Sequence, residues 1–345
     1  MTQAQSSTDA TTGGPPPGRR GAAGRRLAAA FLRWWRPSGM WRRGIVTAVL
    51  ALVLTGLLVL HSDLPNRVGN LGSLVETFLP WFGLAVPLLL VTAVLRRSAT
   101  ALIAVVLPAA LWLNLFGGLL TEKSSPGGNL TVVAHNVNAE NPDPDATAAD
   151  LVAAHADLVA LEELPEGEVT RYSRDLAAAY PYHAVEGTVG LWSKYPLSTV
   201  RPVDIKMGWT RAMRATASTP HGRVAVYVAH LPSVRVKFDT GFTAGQRDAA
   251  ADALGRAIAA EPLPDVVLLG DLNGTMNDRA LASVTSQMRS TQGASGDGMG
   301  FSWPASFPMA RIDQIMVKGI QPRSSWTLPR TPSDHLPVAA RLELP

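Results

Sequence analysis

Pro264–Asn273 read PDVVLLGDLN. The unbroken apolar run from Val266 to Leu269 is the mark of a strand buried on both faces, and it delivers Gly270, Asp271 and Asn273 together at its end. A carboxylate and a carboxamide two residues apart beyond a strand can point the same way. The first can serve as base or metal ligand, the second can hold an oxyanion or a water. The same letters also describe a strand followed by an Asx-type turn, since Asn273-Gly274 is ordinary turn chemistry. The neighbouring segments choose between these readings.

Around this stretch, strands are predicted at residues 130–137, 158–161, 189–192, 213–218, 224–229, 312–317 and 338–342, and helices at 145–155, 169–179, 243–260 and 278–284. Strands run together with helices set between them and no regular βα alternation, which predicts an α+β domain of two packed sheets with helices outside. The strand ends carry a recurrent polar set: His135 and Asn136, then Glu162 and Glu163, His230, Asp271 and Asn273, Asp313 inside RIDQI, and Asp334-His335. Each alone has a plain reading. A His after a strand is usually a polar surface residue, and Asp313 can be a salt-bridge partner. His135, His155, His183 and His221 are read as structural or solvated. Arg211 and Arg214, in GWTRAMRA, either contact a substrate phosphate or lie on a solvated strand face.

The first third of the chain has a different texture. Before Thr121 there are 11 Lys and Arg against 3 acids, and from Thr121 onward 20 against 24, so the overall charge of +4 belongs to the N-terminal part. Residues 1–43 form a basic Gly/Pro/Ser/Ala-rich tail expected to be largely disordered, with 25–36 able to lie as a basic amphipathic helix on an anionic bilayer face. Residues 44–60, 71–95 and 100–120 are apolar stretches near the roughly 20 residues needed to cross hydrocarbon, and are read as three transmembrane helices. Glu76 is near the end of its span and is expected to reach the interface. Arginines before Gly44 and at Arg96-Arg97 place those ends in the cytoplasm, so three crossings put the C-terminal domain outside a bacterial cell membrane. The linker, residues 121–129, spans at most about 30 Å and holds the domain at 130–345 close to the bilayer. No cysteine is present, which excludes disulfides and thiolate metal sites.

The ordered set Asn136, Glu163, His230, GDLN and SDH resembles the endonuclease/exonuclease/phosphatase superfamily, which includes DNase I-like nucleases, inositol-phosphate phosphatases and bacterial sphingomyelinases. The resemblance covers residues 130–344 and implies a four-layered α/β/β/α sandwich, here preceded by three transmembrane helices. It implies a divalent metal, Mg²⁺ or Mn²⁺, held by Asn136, Glu163 and Asp334. It further implies His230 on the phosphate, Asp271 and Asn273 orienting water and a phosphoryl oxygen, and Asp313 with His335 as a buried couple. Glu162 stands where the family has Gln, which leaves open which of the two adjacent carboxylates binds metal. An all-oxygen Asn/Glu/Asp set suits a hard cation.

Three features bear on the substrate. The domain is net acidic, unlike most nucleic-acid binders. Its site is tethered near a membrane. The Gly-rich loop 286–311 carries Met299, Phe301, Trp303, Phe307 and Met309, which can dip into the interface, cover an apolar substrate or plug the fold's own core. The lipid bilayer and a phosphorylated lipid or lipid carrier are therefore the expected partners. Three spans before such a domain also resemble actinobacterial membrane proteins associated with teicoplanin resistance, which implies undecaprenyl-pyrophosphate-type lipids. An extracellular nuclease and a non-catalytic envelope-binding module are the alternatives.

Overall fold

The structure is a computed structural model and describes residues 39–66, 71–233 and 242–345. Most of the basic tail, including residues 25–36, lies outside the described residues.

In the C-terminal domain two six-stranded sheets face each other. The first contains β1 (Leu130–Asn136), β2 (Leu158–Glu162), β3 (Tyr182–Glu186), β4 (Val189–Ser193), β11 (Gln321–Thr327) and β12 (Val338–Glu343), in the order β11-β12-β1-β2-β4-β3. The second contains β5 (Leu197–Pro202), β6 (Ala212–Thr219), β7 (Gly222–Ala229), β8 (Val266–Asp271), β9 (Arg289–Ser290) and β10 (Asp313–Lys318), in the order β5-β6-β7-β8-β10-β9. All eight strands expected from the sequence are present with ends within two residues. The four it missed are β3, β5, β9 and β11, which are partly exposed or only two residues long and lack a continuous apolar signal.

Side-chain alternation builds the layers. In β8, Val267 and Leu269 enter the core between the sheets, packing near Val132 and Ala134 of β1, whereas Val266 and Leu268 turn outward. The outward face of the second sheet is covered by Ala250, Ala251, Leu254 and Ile258, which lie on the helix Phe242–Ala259. The outward face of the first is covered by the helices Pro144–Ala153 and Glu166–Leu176 through Ala148, Leu151, Tyr172 and Leu176. The result is the α/β/β/α sandwich.

Each sheet contains one parallel pair, β1 with β2 and β7 with β8, flanked by an antiparallel partner, β12 and β10 respectively. The C-terminal ends of the parallel strands therefore lie beside the N-terminal ends of β10 and β12. Most of the polar strand ends named above, among them Asn136, Glu163, His230, Asp271, Asp313 and His335, fall on this one rim.

The N-terminal region departs from three straight spans. Among the described residues, Ile45–Asp63 and Ala99–Leu119 are long and apolar enough to cross a membrane. The middle stretch is broken: a short helix α1 (Leu71–Thr77) is followed by Leu79–Leu95, bent by 67° from it. Pro80 accounts for the break, since it has no backbone N–H to donate to the Glu76 carbonyl four residues back, which Thr275 Oγ1 takes instead. A third crossing exists only if the bent pair is counted as one. Glu76 also departs from expectation, being fully buried where Thr275 Oγ1 donates to its carbonyl at 3.3 Å. The loop 286–311 likewise meets the N-terminal helices: Phe301 stacks on Trp81, and Trp81 Nε1 donates to Met309 O at 2.7 Å.

Candidate active site

Asp271 ends β8 and is almost fully buried. The strand can reach this position only with glycine before it, because a Cβ on Gly270, whose φ is +144°, would collide with the Ala229 carbonyl of β7. The Asp271 carboxylate is then fixed from three sides. Asn136 Nδ2 donates to Oδ2 at 3.1 Å, the Asn273 backbone N–H to Oδ1 at 2.8 Å, and Asn273 Nδ2 to Oδ2 at 3.1 Å. The Asx turn and the functional reading of GDLN thus coexist. Asn273 Nδ2 also donates to Leu231 O at 2.9 Å, so both its amide hydrogens are engaged. As placed, Asn273 orients Asp271 and has no donor left for an oxyanion.

His335 and Asp313 approach from the antiparallel strands. Nδ1 of His335 lies 2.9 Å from Asp313 Oδ2, and its Nε2 lies 3.9 Å from Asp271 Oδ2. Burial alone would lower the imidazole pKa, but the Asp313 charge and hydrogen bond, with Asp271 adding, raise it to about 10. Burial likewise pushes Asp313 up, yet His335 and a hydrogen bond from Ser302 outweigh it and hold Asp313 below the usual carboxylate range. The couple is an imidazolium on a carboxylate. Asp271 lacks such a partner, and burial, with Asp313 nearby, raises it to about 7, which is suited to accepting a proton near neutrality.

His230, just after β7, lies 3.7 Å from Asp271 Oδ2 and 3.4 Å from Glu163 Oε1. The Arg211 guanidinium packs against its ring. Burial, then the Arg211 charge, push His230 well below its ordinary pKa, so it is neutral. The two candidate arginines diverge here. Arg214 is buried and makes a two-pronged bridge to Glu261, at 3.0 and 2.8 Å, while Arg211 faces the site. Neither lies on a solvated strand face.

The adjacent glutamates also diverge. Glu163 has φ of +58°, a left-handed backbone uncommon outside Gly, Asn and Asp. This turns its carboxylate out of the strand to accept from Ala139 N–H at 3.3 Å and to line a cavity with Asp271, Asn273, Asp334 and His335. Glu162 stays inside the sheet with neither carboxylate oxygen hydrogen-bonded. Burial, then Asp313 and Asp271, push it well above the usual carboxylate range. That favours the uncharged acid, close in shape to the family's usual Gln. Asn273 at the end of β8, with φ of +48°, repeats the left-handed turn of Glu163 at the end of β2.

The structure thus brings together Asn136, Glu163, His230, Asp271, Asn273, Asp313 and His335. Asp334 stands at the cavity's edge with an exposed side chain. His135 is buried apart, with Nε2 3.0 Å from Thr331 Oγ1. Sequence reading left Arg211 between substrate contact and a solvated face; it stands immediately before β6, where its carbonyl accepts from the His230 N–H at 2.8 Å.

Carboxylates, histidines and amides thus meet on one rim at paired strand ends. A model of the Endonuclease/Exonuclease/phosphatase family matches residues 133–335, and the chain belongs to that family. No curated protein matches the chain in sequence. Similar solved structures include an endonuclease/exonuclease/phosphatase from Beutenbergia cavernae DSM 12333, with 18% identity over 63% of this chain and 72% of that one and a TM-score of 0.51. D. rerio TDP2 complexed with single strand DNA product has 15% identity over 62% and 98%, with a TM-score of 0.51. Beta toxin from Staphylococcus aureus has 15% identity over 61% and 99%, with a TM-score of 0.50. At these identities the three establish a shared fold.

Proposed function

We propose that the chain is a membrane-anchored, divalent-metal-dependent phosphoester hydrolase acting outside the cytoplasm on a lipid-linked phosphate or pyrophosphate. The observation that carries the hydrolase reading is the convergence on one rim of a fixed carboxylate, Asp271, with an imidazolium, His335, and a guanidinium-backed imidazole, His230.

The residues fit a cation. Glu163, Asp271, Asp313 and Asp334 outnumber the cationic groups His335 and Arg211, and ligand atoms of Asp271, Asp313 and His335 lie within 4.8 Å of one another. Because Asp313 keeps His335 protonated, the oxygen donors are the better ligands. Asn136, Glu163 and Asp334 would hold the metal, with Asp271 beside them, a hard set that suits Mg²⁺ and accommodates Mn²⁺. When bound, such an ion neutralises charge developing on the phosphoryl oxygens. The chain's own groups do the rest. Asp271, held by Asn136 and Asn273, takes a proton from the attacking water as its oxygen bonds to phosphorus. His335 and Arg211 carry the positive charge that meets the phosphoryl oxygens, and His335 holds a proton for the leaving oxygen as its bond to phosphorus breaks.

The lipid assignment follows from the acid excess of the domain and its attachment to apolar helices. It agrees with the resemblance to teicoplanin-resistance membrane proteins and makes an undecaprenyl-pyrophosphate-type lipid the first substrate to test. The same reading divides the chain into tail 1–43, anchor 44–120, linker 121–129 and catalytic domain 130–345. Purified full-length protein in detergent should hydrolyse a lipid phosphoester or pyrophosphate with Mg²⁺, lose activity in EDTA and turn over DNA poorly in a side-by-side panel. Preference for DNA would move the assignment to the nuclease alternative, and turnover indifferent to EDTA would remove the metal.

A further inference from the structure

The catalytic cavity, about 460 Å³, is lined on one side by Glu163, Asp271, Asn273, Asp334 and His335. Its other side includes Ser73, Leu74, Thr77 and Phe78, which belong to the N-terminal apolar region and stand between 85 and 262 residues from that set in sequence. The break at Phe78 swings the short helix α1 out of line with Leu79–Leu95, and its faces then divide the work. Ser73 and Glu76, three apart, turn toward the domain and are buried. Ser73 Oγ accepts from Arg247 Nη2 at 3.0 Å, and the same arginine donates from Nη1 to Asn273 O at 2.8 Å. Thr275 fastens the Glu76 carbonyl. Leu74, Thr77 and Phe78, spaced i, i+3, i+4, are half-buried and form the face that looks into the cavity, opposite Trp303 and Ile312.

A volume of this size holds far more than a phosphoryl group, and apolar walls with a few convergent polar groups are how small-molecule sites bind the unreactive part of a ligand. We propose that Leu74, Phe78, Trp303 and Ile312 form the subsite for an aliphatic chain attached to the scissile phosphoester, so that the anchor itself determines substrate specificity. The proposal rests on the hydrolase reading of the same cavity and deepens it. The occupant is a phosphorylated lipid because the wall is continuous with helices whose outer faces are apolar. The acid excess of the domain disfavours a polynucleotide in the same space.

The test uses the full chain in detergent with Mg²⁺ and a series of alkyl p-nitrophenyl phosphodiesters from ethyl to octyl, monomeric in water, with thymidine 5′-p-nitrophenyl phosphate beside them. All release the same leaving group. Each fully buried methylene is worth about a factor of four, so partial burial should raise kcat/KM at least about tenfold from ethyl to octyl, chiefly through KM. Leu74→Asn and Phe78→Ser should flatten the series while leaving the ethyl ester within about twofold, and Leu74→Met should retain it. In a second arm, octyl phosphate with a chain-terminal diazirine is crosslinked to EDTA-treated protein and should label residues 71–78, 303 and 312. A flat series in the unaltered protein, equal losses on ethyl and octyl esters in both variants, or labelling elsewhere would overturn the subsite. Nucleotide turnover that exceeds the octyl ester and falls in Phe78→Ser would assign the wall to a base instead. Labelling at 71–78 without turnover of any diester would leave the subsite standing and remove the hydrolase reading. Turnover abolished by Asp271→Asn with no chain dependence would do the reverse.

Discussion

The N-terminal helices and the C-terminal domain differ in what they leave outside. In the anchor the small residues Ala51, Ala93 and Ala101 are fully enclosed between helices, while Leu88, Leu95 and Ile103 face outward at 63–78% exposure. In the domain Trp192, Tyr172, Tyr180 and Tyr227 are enclosed, and among its described residues only Tyr182, Val200, Trp209 and Phe307 are large apolar side chains left exposed. Close approach of small residues with large apolar ones outside is how helices pack in lipid, where burying leucine gains nothing over hydrocarbon. Large residues inside is how a domain folds in water. The domain thus covers most of its large apolar side chains, whereas the N-terminal helices leave a broad apolar surface. The two meet at the mouth of the catalytic cavity, and Arg247 bridges them.

The sharpest way to break this contrast is to disable one region without touching the other. Asp271→Ala and His335→Ala should each lower kcat by about a thousandfold or more, with circular dichroism and detergent extraction unchanged. A loss of extractable protein would show that the site also holds the fold. Next in size is Arg247→Met. Arg247 and Asp278 are both inaccessible and 2.7 Å apart, and stranding a buried charge costs about 3–5 kcal/mol, read by urea unfolding in detergent. Smaller again is Arg211→Ala, expected to reduce kcat/KM about 10- to 100-fold with little change in unfolding. Arg214→Ala should show the converse, since its partner Glu261 is structural.

A pH dependence of stability is expected as well in the metal-free protein. The folded-state pKa of His335, raised to about 10, exceeds its unfolded value near 6.5. Its stabilising contribution is accordingly complete below about pH 6.5 and lost as pH rises through 10. His335→Asn should remove that dependence, leaving a flatter stability profile between pH 7 and 10 than the unaltered chain shows.

Much of the domain was legible because its strands are buried on both faces. Runs such as Val266–Leu269 and Leu158–Leu161 have no competing reading once Gly, Pro and Asp bound them. The exposed or edge strands β3 and β5 carry mixed polarity and gave no signal. Candidate site residues were visible as polar letters closing apolar runs. The roles of neighbours were not: Arg211 and Arg214 are alike in sequence, and only Glu261 on one side and His230 on the other distinguish them. Glu162 and Glu163 are adjacent and identical, and a left-handed turn of one residue sends one into the cavity and leaves the other in the sheet.

By itself the sequence determined the α+β class, the positions of most strands, the apolar N-terminal stretches and, by resemblance, the family, because burial periodicity and short motifs are local properties that survive without coordinates. The tertiary structure alone decided that the middle apolar stretch bends at Phe78 and that its short arm, fixed through Ser73 to Arg247, lies across the catalytic rim. That contact joins residues 73 and 247, and no local pattern records it, since it depends on how two separately folded surfaces happen to be complementary.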